Sequence, residues 1–165
     1  MAVLPILKWP DARLRAPCAP VQDVAALQDL ARDMLDTMYD APGRGLAAPQ
    51  VGHLHRMFVM DAGWKEGKPD PLVMINPVIL ELGEETAVNS EGCLSLPGIT
   101  AEVRRPTTVL VQWITPEGAR AVQGFQGFAA VCVQHEMDHL DGIVTLDHLD
   151  GETRMSLEAA YQAQQ

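Results

Sequence analysis

The stretch Gln134-His135-Glu136-Met137-Asp138-His139 decides how this chain is read. Its two imidazoles stand four residues apart, so on a helix they share one face. The carboxylate beside the first completes the pattern with which a helix holds a hydrolytic metal. Upstream, Phe128, Val131 and Cys132 continue the spacing of three or four, and Gly142 closes the run downstream. Both histidines therefore fall on the apolar stripe. Buried imidazoles need partners for their ring nitrogens, and a shared cation satisfies both. With Glu136 in the general-base position, metal-assisted hydrolysis outweighs the alternative of two core histidines bonded to backbone carbonyls.

The third ligand sets the class. Metzincin proteases continue His-x-x-Gly-x-x-His, whereas Leu140-Asp141-Gly142-Ile143-Val144-Thr145 keeps the glycine and puts threonine where the third histidine belongs. His148 lies beyond the helix stop and reads as a surface or structural residue. A downstream glutamate of the thermolysin kind could come only from the short tail. Cys93 is the better ligand, because Glu91-Gly92-Cys93 places a thiolate on a glycine-loosened segment that can lie against the helix. A Cys-His-His set leaves one position open for water, as catalytic sites do.

Composition narrows the rest. A chain of 165 residues with 47% apolar content is sized for one domain with an ordinary core. No apolar run reaches the roughly 18 residues of a membrane span, and no secretory leader opens the chain, which points to a cytoplasmic protein. A formal charge of -10 argues against direct nucleic-acid binding. Three widely spaced cysteines do not make a disulfide framework, and Cys18 and Cys132 read individually as structural thiols.

Along the chain, Val3 to Pro20 carries four prolines and reads as an extended arm with a turn at Pro10-Asp11. Val24, Leu27, Leu30, Met34 and Met38 predict an amphipathic helix from Asp23 to Tyr39, with Asp23 as cap and Pro42-Gly43 as stop. The two glycines of Gly43-Arg44-Gly45 suit either a structural turn or a backbone that approaches a bound peptide. Met57 to Asp61, Leu72 to Ile75, Val78 to Leu82, Ala101 to Arg105 and Thr108 to Thr115 are short β-compatible runs, without helical crossovers between them. The tail from Gly151 has a weak helical pattern through Met155, Leu157 and Tyr161.

Three segments, Gly43-Arg44-Gly45-Leu46-Ala47-Ala48-Pro49-Gln50, Glu91-Gly92-Cys93-Leu94-Ser95 and Gln134-His135-Glu136-Met137-Asp138-His139-Leu140, resemble in order the motifs of the peptide deformylase family. Pro10 to Arg15 and Val103 to Pro106 extend the likeness over nearly the whole chain. The resemblance implies an α+β fold in which antiparallel sheets surround a central metal-binding HExxH helix, within a single catalytic domain spanning residues 1–165. It implies one divalent metal on Cys93, His135 and His139, Fe2+ in the cell with Zn2+, Ni2+ or Co2+ as substitutes. The reaction implied is removal of the N-formyl group from formyl-methionine on nascent polypeptides. Glu136 would carry the proton, with the Gln50 side chain and the Leu94 backbone N–H as donors to the developing oxyanion. Substrate contacts would come from Gly43, Arg44, Gly45, Gly92, Arg105, Val131 and Cys132.

Two departures qualify the likeness. The family usually has Ile or Val between the two glycines of its first motif, where this chain has Arg44, so altered side-chain preference is expected. The tail holds Glu152, Arg154 and Glu158, a net negative set that does not resemble a basic ribosome-docking helix, although work close to the ribosome stays compatible with it. Two other readings remain at this point: a general metallopeptidase, and a deformylase-like protein that binds metal and peptide without turnover.

Overall fold

The computed structural model describes residues 2–165. In chain order its main elements are α1 (Gln28–Asp40), β1 (Gly45–Ala47), β2 (Met57–Met60), β3 (Leu72–Leu82), β4 (Thr86–Cys93), β5 (Leu96–Pro106), β6 (Thr108–Ile114), β7 (Arg120–Gln126), α2 (Gly127–Leu140) and α3 (Gly151–Gln162). Antiparallel pairing gives one sheet in the order β1-β2-β3-β6-β7, and β4 with β5 forms a separate hairpin. The expected α+β architecture is present, with α2 set between the sheet and the hairpin.

The alternation of β2 explains how the layers assemble. Phe58 and Met60 face a core shared with Ala130, Val133 and Met137 of α2, whereas Met57 and Val59 face a second core with Ala31, Met34 and Met38 of α1. A strand buried on both faces reads as a continuous apolar run. The helix α2 is buried around most of its circumference, so its polar residues must be satisfied by protein or ligand. A third cluster, Leu14, Leu96, Val144, Leu146 and Tyr161, seats α3 against β5 and the opening arm. Tyr161 Oη donates to the Trp9 carbonyl at 2.9 Å. No helix among the described residues is long and apolar enough to cross a membrane.

Some boundaries differ from the sequence expectation. The helix expected from Asp23 begins as a 3₁₀ turn at Ala25–Leu27, and the Asp23 carboxylate accepts from the Ala26 N–H at 3.3 Å. The two runs flanking Asn76-Pro77 form one strand with a register shift between Ile75 and Val78. Proline cannot donate to the ladder, and Asn76 absorbs the irregularity at φ 49. Reciprocal hydrogen bonds between the Asn76 amide and the Val21 backbone, at 2.8 and 2.9 Å, hold it there. Neither β4 nor β7 was expected as a separate strand.

Candidate metal centre

The helix α2 places His135 and His139 one turn apart, with ring centroids separated by 5.0 Å. Cys93 arrives from the other side, at the end of β4. A register shift between Glu91 and Cys93 breaks the alternation of that strand, which is how a bulge re-aims a side chain. Cys93 Sγ lies 3.4 Å from His139 Nε2, and the ligand atoms of all three residues lie within 4.8 Å of one another. They are the one such group with metal-holding potential among the described residues.

The surroundings fit a divalent cation. Nδ1 of His135 is engaged by Glu91 Oε1 at 2.9 Å, which fixes the ring and leaves Nε2 for the shared space. Burial would lower the basicity of His135, but Glu136, Cys93 and Glu91 surround it with negative charge and drive it well above the ordinary imidazole value. Burial, reinforced by His135 and Arg105, pushes His139 well below that value, keeping it neutral and able to ligate. A cation shared by both imidazoles and the Cys93 thiolate suits the three ligand atoms that converge there.

Behind the ligands runs a line of charged hydrogen bonds. Arg105 donates through Nε and Nη2 to the two Glu91 oxygens at 2.7 and 3.0 Å, and through Nη1 to Asp138 Oδ2 at 2.9 Å. The same Asp138 oxygen meets His148 Nε2 at 2.7 Å. Burial would raise the Glu91 carboxyl, but His135 and Arg105 outweigh it and hold it below the ordinary carboxylate value. Glu91 thus stays ionised as the acceptor that orients His135.

Glu136 projects into the same space. Its carboxyl is buried and pushed up to about 7, chiefly by desolvation, and Oε1 has no protein partner. A base near neutrality with a free oxygen suits proton transfer. Gln50 is oriented by simple hydrogen-bond logic. The Ala47 N–H can only donate, so the Gln50 oxygen accepts it at 2.9 Å and the Nε2 group turns toward Ser95 Oγ at 3.0 Å and Cys93 Sγ at 3.7 Å. Leu94 and Ser95 form the turn between Cys93 and Leu96, outside the paired ladder, so the Leu94 N–H is not required by the sheet.

These groups open onto a cleft of about 400 Å³. Gly43, Arg44, Gly45, Gln50, Gly92, Cys93, Leu94, Val131, Cys132, His135 and Glu136 all border it. Gly45 is demanded by close approach, since a Cβ there would stand 2.6 Å from Glu136 Oε2 and 3.0 Å from Cys132 Sγ. Gly92 faces open space. Burial raises the Cys132 thiol well above its ordinary value, and it donates to the Arg44 carbonyl at 3.5 Å, so it is an inert wall. Arg105 is not brought to the cleft. It is 5% exposed and lies behind Glu91. Sequence reading missed Ser95 as a partner of Gln50, and Lys65, Glu66 and Phe128 near Arg44. The serine stood within a recognised motif, but nothing periodic marks the 3₁₀ turn at Trp64–Glu66.

A sequence profile described as polypeptide deformylase matches residues 3–155. Peptide deformylase of Rhizorhabdus wittichii is 48% identical over 155 residues, covering 90% of this chain and 88% of the relative. That of Psychrobacter cryohalolentis is 46% identical over 150 residues, covering 90% and 80%. Among solved structures, peptide deformylase from Ehrlichia chaffeensis in complex with actinonin superposes with TM-score 0.94 at 36% identity, covering 100% of this chain and 99% of the other. The Legionella pneumophila peptide deformylase gives 0.92 at 38%, covering 98% and 95%.

Proposed function

The chain belongs to the polypeptide deformylase family, and on that premise we propose roles for its residues around one divalent cation held by Cys93, His135 and His139. The protein is a hydrolase that removes the N-formyl group from the formyl-methionine of nascent polypeptides. That membership sets aside both the general metallopeptidase and the binding protein without turnover.

A cation held by Cys93, His135 and His139 would supply Lewis-acid activation of water. Glu136 would take a proton from the attacking water as the water oxygen adds to the formyl carbon. Gln50 Nε2 and the Leu94 N–H donate to the oxygen that gains negative charge. Glu136 then passes the proton to the amine nitrogen, the C–N bond breaks, and formate and a free α-amino group leave. Glu91 holds the His135 ring, and Arg105 holds Glu91, so Arg105 acts as a positioning residue. The substrate lies extended between the edge strand β1 at Gly45 and the open side of Gly92, with Gly43, Val131 and Cys132 shaping its pocket.

A thiolate with two imidazoles accepts Fe2+, Zn2+, Ni2+ or Co2+. Fe2+ in the cell follows from the family likeness. The same likeness supports action in the cytoplasm, near the ribosome, by a single domain over residues 1–165. Arg44 gives the pocket a side-chain preference unlike that of an aliphatic residue there.

The observation that carries this assignment is the convergence of three ligand atoms within 4.8 Å of one another, with Cys93, His135, Glu136 and Gln50 bordering one cleft. Protein purified without oxygen should contain one metal per chain and turn over formyl-Met-Ala-Ser but leave Met-Ala-Ser intact. Cleavage of the unformylated peptide, or no hydrolysis after Fe2+ or Ni2+ is supplied, would contradict it.

A further inference from the structure

A second part of the cleft wall carries charge that deformylation does not use. Arg44 stands between two cleft-lining glycines, with its guanidinium carbon 4.8 Å from the centre of the Phe128 ring. Its Nη2 donates to Glu66 Oε1 at 2.7 Å, and its Nε finds no acceptor. Lys65 borders the same cleft. Trp64 Nε1 donates to the Gly43 carbonyl at 2.9 Å, which ties the turn bearing Lys65 and Glu66 to the segment bearing Arg44. Two cations face one carboxylate there, a local positive surplus in a chain of formal charge -10.

A formyl group is uncharged, so this surplus does not serve recognition of the blocked N-terminus. The geometry points to Arg44, assisted by Lys65, as a specificity determinant that favours formylated peptides with an acidic side chain close behind the formyl-methionine. The inference rests on the deformylase reading above and adds to it a substrate class. Glu66 is a displaceable stand-in for the substrate carboxylate. Its side chain is 57% exposed and reaches only one guanidinium nitrogen, and ion pairs of that kind hold weakly. A substrate carboxylate that takes the place of Glu66 on Nη2 meets a guanidinium already held in position, whose Nε is buried. Stacking on Phe128 limits the planes open to the guanidinium and so pre-orients it. A peptide with lysine at the same place meets two like charges.

The test uses metal-loaded protein and three C-terminally amidated peptides, formyl-Met-Asp-Ser, formyl-Met-Ala-Ser and formyl-Met-Lys-Ser. Their kcat/KM values are compared at low and high ionic strength. The wild type should favour the aspartate over the lysine peptide by about tenfold at low salt. The ratio should fall to within about twofold in Arg44→Gln and at high salt, and should widen in Glu66→Gln. Using ratios removes any general loss of activity in the variants. Equal rates on all three peptides in the wild type, or an unchanged ranking in Arg44→Gln, would overturn the inference. Binding of the same peptides to metal-loaded Glu136→Gln, followed through tryptophan fluorescence, gives the ranking independently of turnover. If no peptide is hydrolysed the deformylase reading fails, and the binding order still decides for or against Arg44.

Discussion

The two sides of this cleft are built in opposite ways. On the metal side, His135, Glu91 and Arg105 are buried and each is hydrogen-bonded to the next, so the geometry is fixed before any ligand arrives. On the Arg44 side, the ion pair with Glu66 is open to water and reaches only one guanidinium nitrogen. Chemistry that needs preorganised donors sits where side chains cannot relax. Selection among substrates sits where one carboxylate can replace another at little cost.

The contrast can be broken at graded points. The largest effect should come from Glu136→Gln, which keeps the size of the side chain but cannot carry the proton. The expected loss is about 10²–10⁴ in kcat with metal content unchanged, measured by steady-state kinetics beside metal analysis. Full activity in that variant would remove Glu136 from the mechanism.

Arg105→Met strikes the rigid side from behind, leaving Glu91 with His135 alone and Asp138 with His148 alone. Breaking a buried pair in this way costs about 3–5 kcal/mol, which denaturant unfolding of the metal-loaded protein would read. A loss below about 1 kcal/mol would show that the metal side is less tightly held than described.

Gln50→Ala should lower kcat by about 10²–10³, since one oxyanion donor is lost, and should cost about 1–3 kcal/mol of stability, since the buried Ala47 N–H loses its acceptor. If KM alone rises, Gln50 serves ground-state binding instead.

His148→Ala should matter least. Its side chain is 31% exposed, and Arg105 keeps Asp138 without it, so stability should change by less than about 1 kcal/mol and kcat by a few-fold at most. A large drop in kcat would extend the rigid side to the surface.

The same contrast governs what could be read from the sequence. The metal side was legible because its requirements are local. Two histidines and a carboxylate at helical spacing announce themselves, and an apolar run such as Met57-Phe58-Val59-Met60 can only be buried. The hairpin strand β4 was harder, because Asn89, Ser90 and Gly92 are weak strand formers and pairing with β5, not propensity, makes it a strand. The strand β7 was hidden by Gly124 and by Gln123 and Gln126, whose spacing of three breaks the period-2 alternation of a strand. The link of Asp138 to Arg105 and His148 depends on the hairpin packing against α2. Of the variable wall only Arg44 stood out, as a charge between two glycines. Its partner Glu66 is 22 residues away on an isolated turn, and no periodicity joins them.

The central claim is that Cys93 joins His135 and His139 around one metal. X-ray absorption on protein loaded with Co2+ or Fe2+ under anaerobic conditions tests it most directly. The fit should require one sulfur and two imidazole nitrogens in the first coordination sphere, and the sulfur should vanish in Cys93→Ser. A coordination sphere without sulfur in the wild type, or one unchanged in Cys93→Ser, would contradict the account.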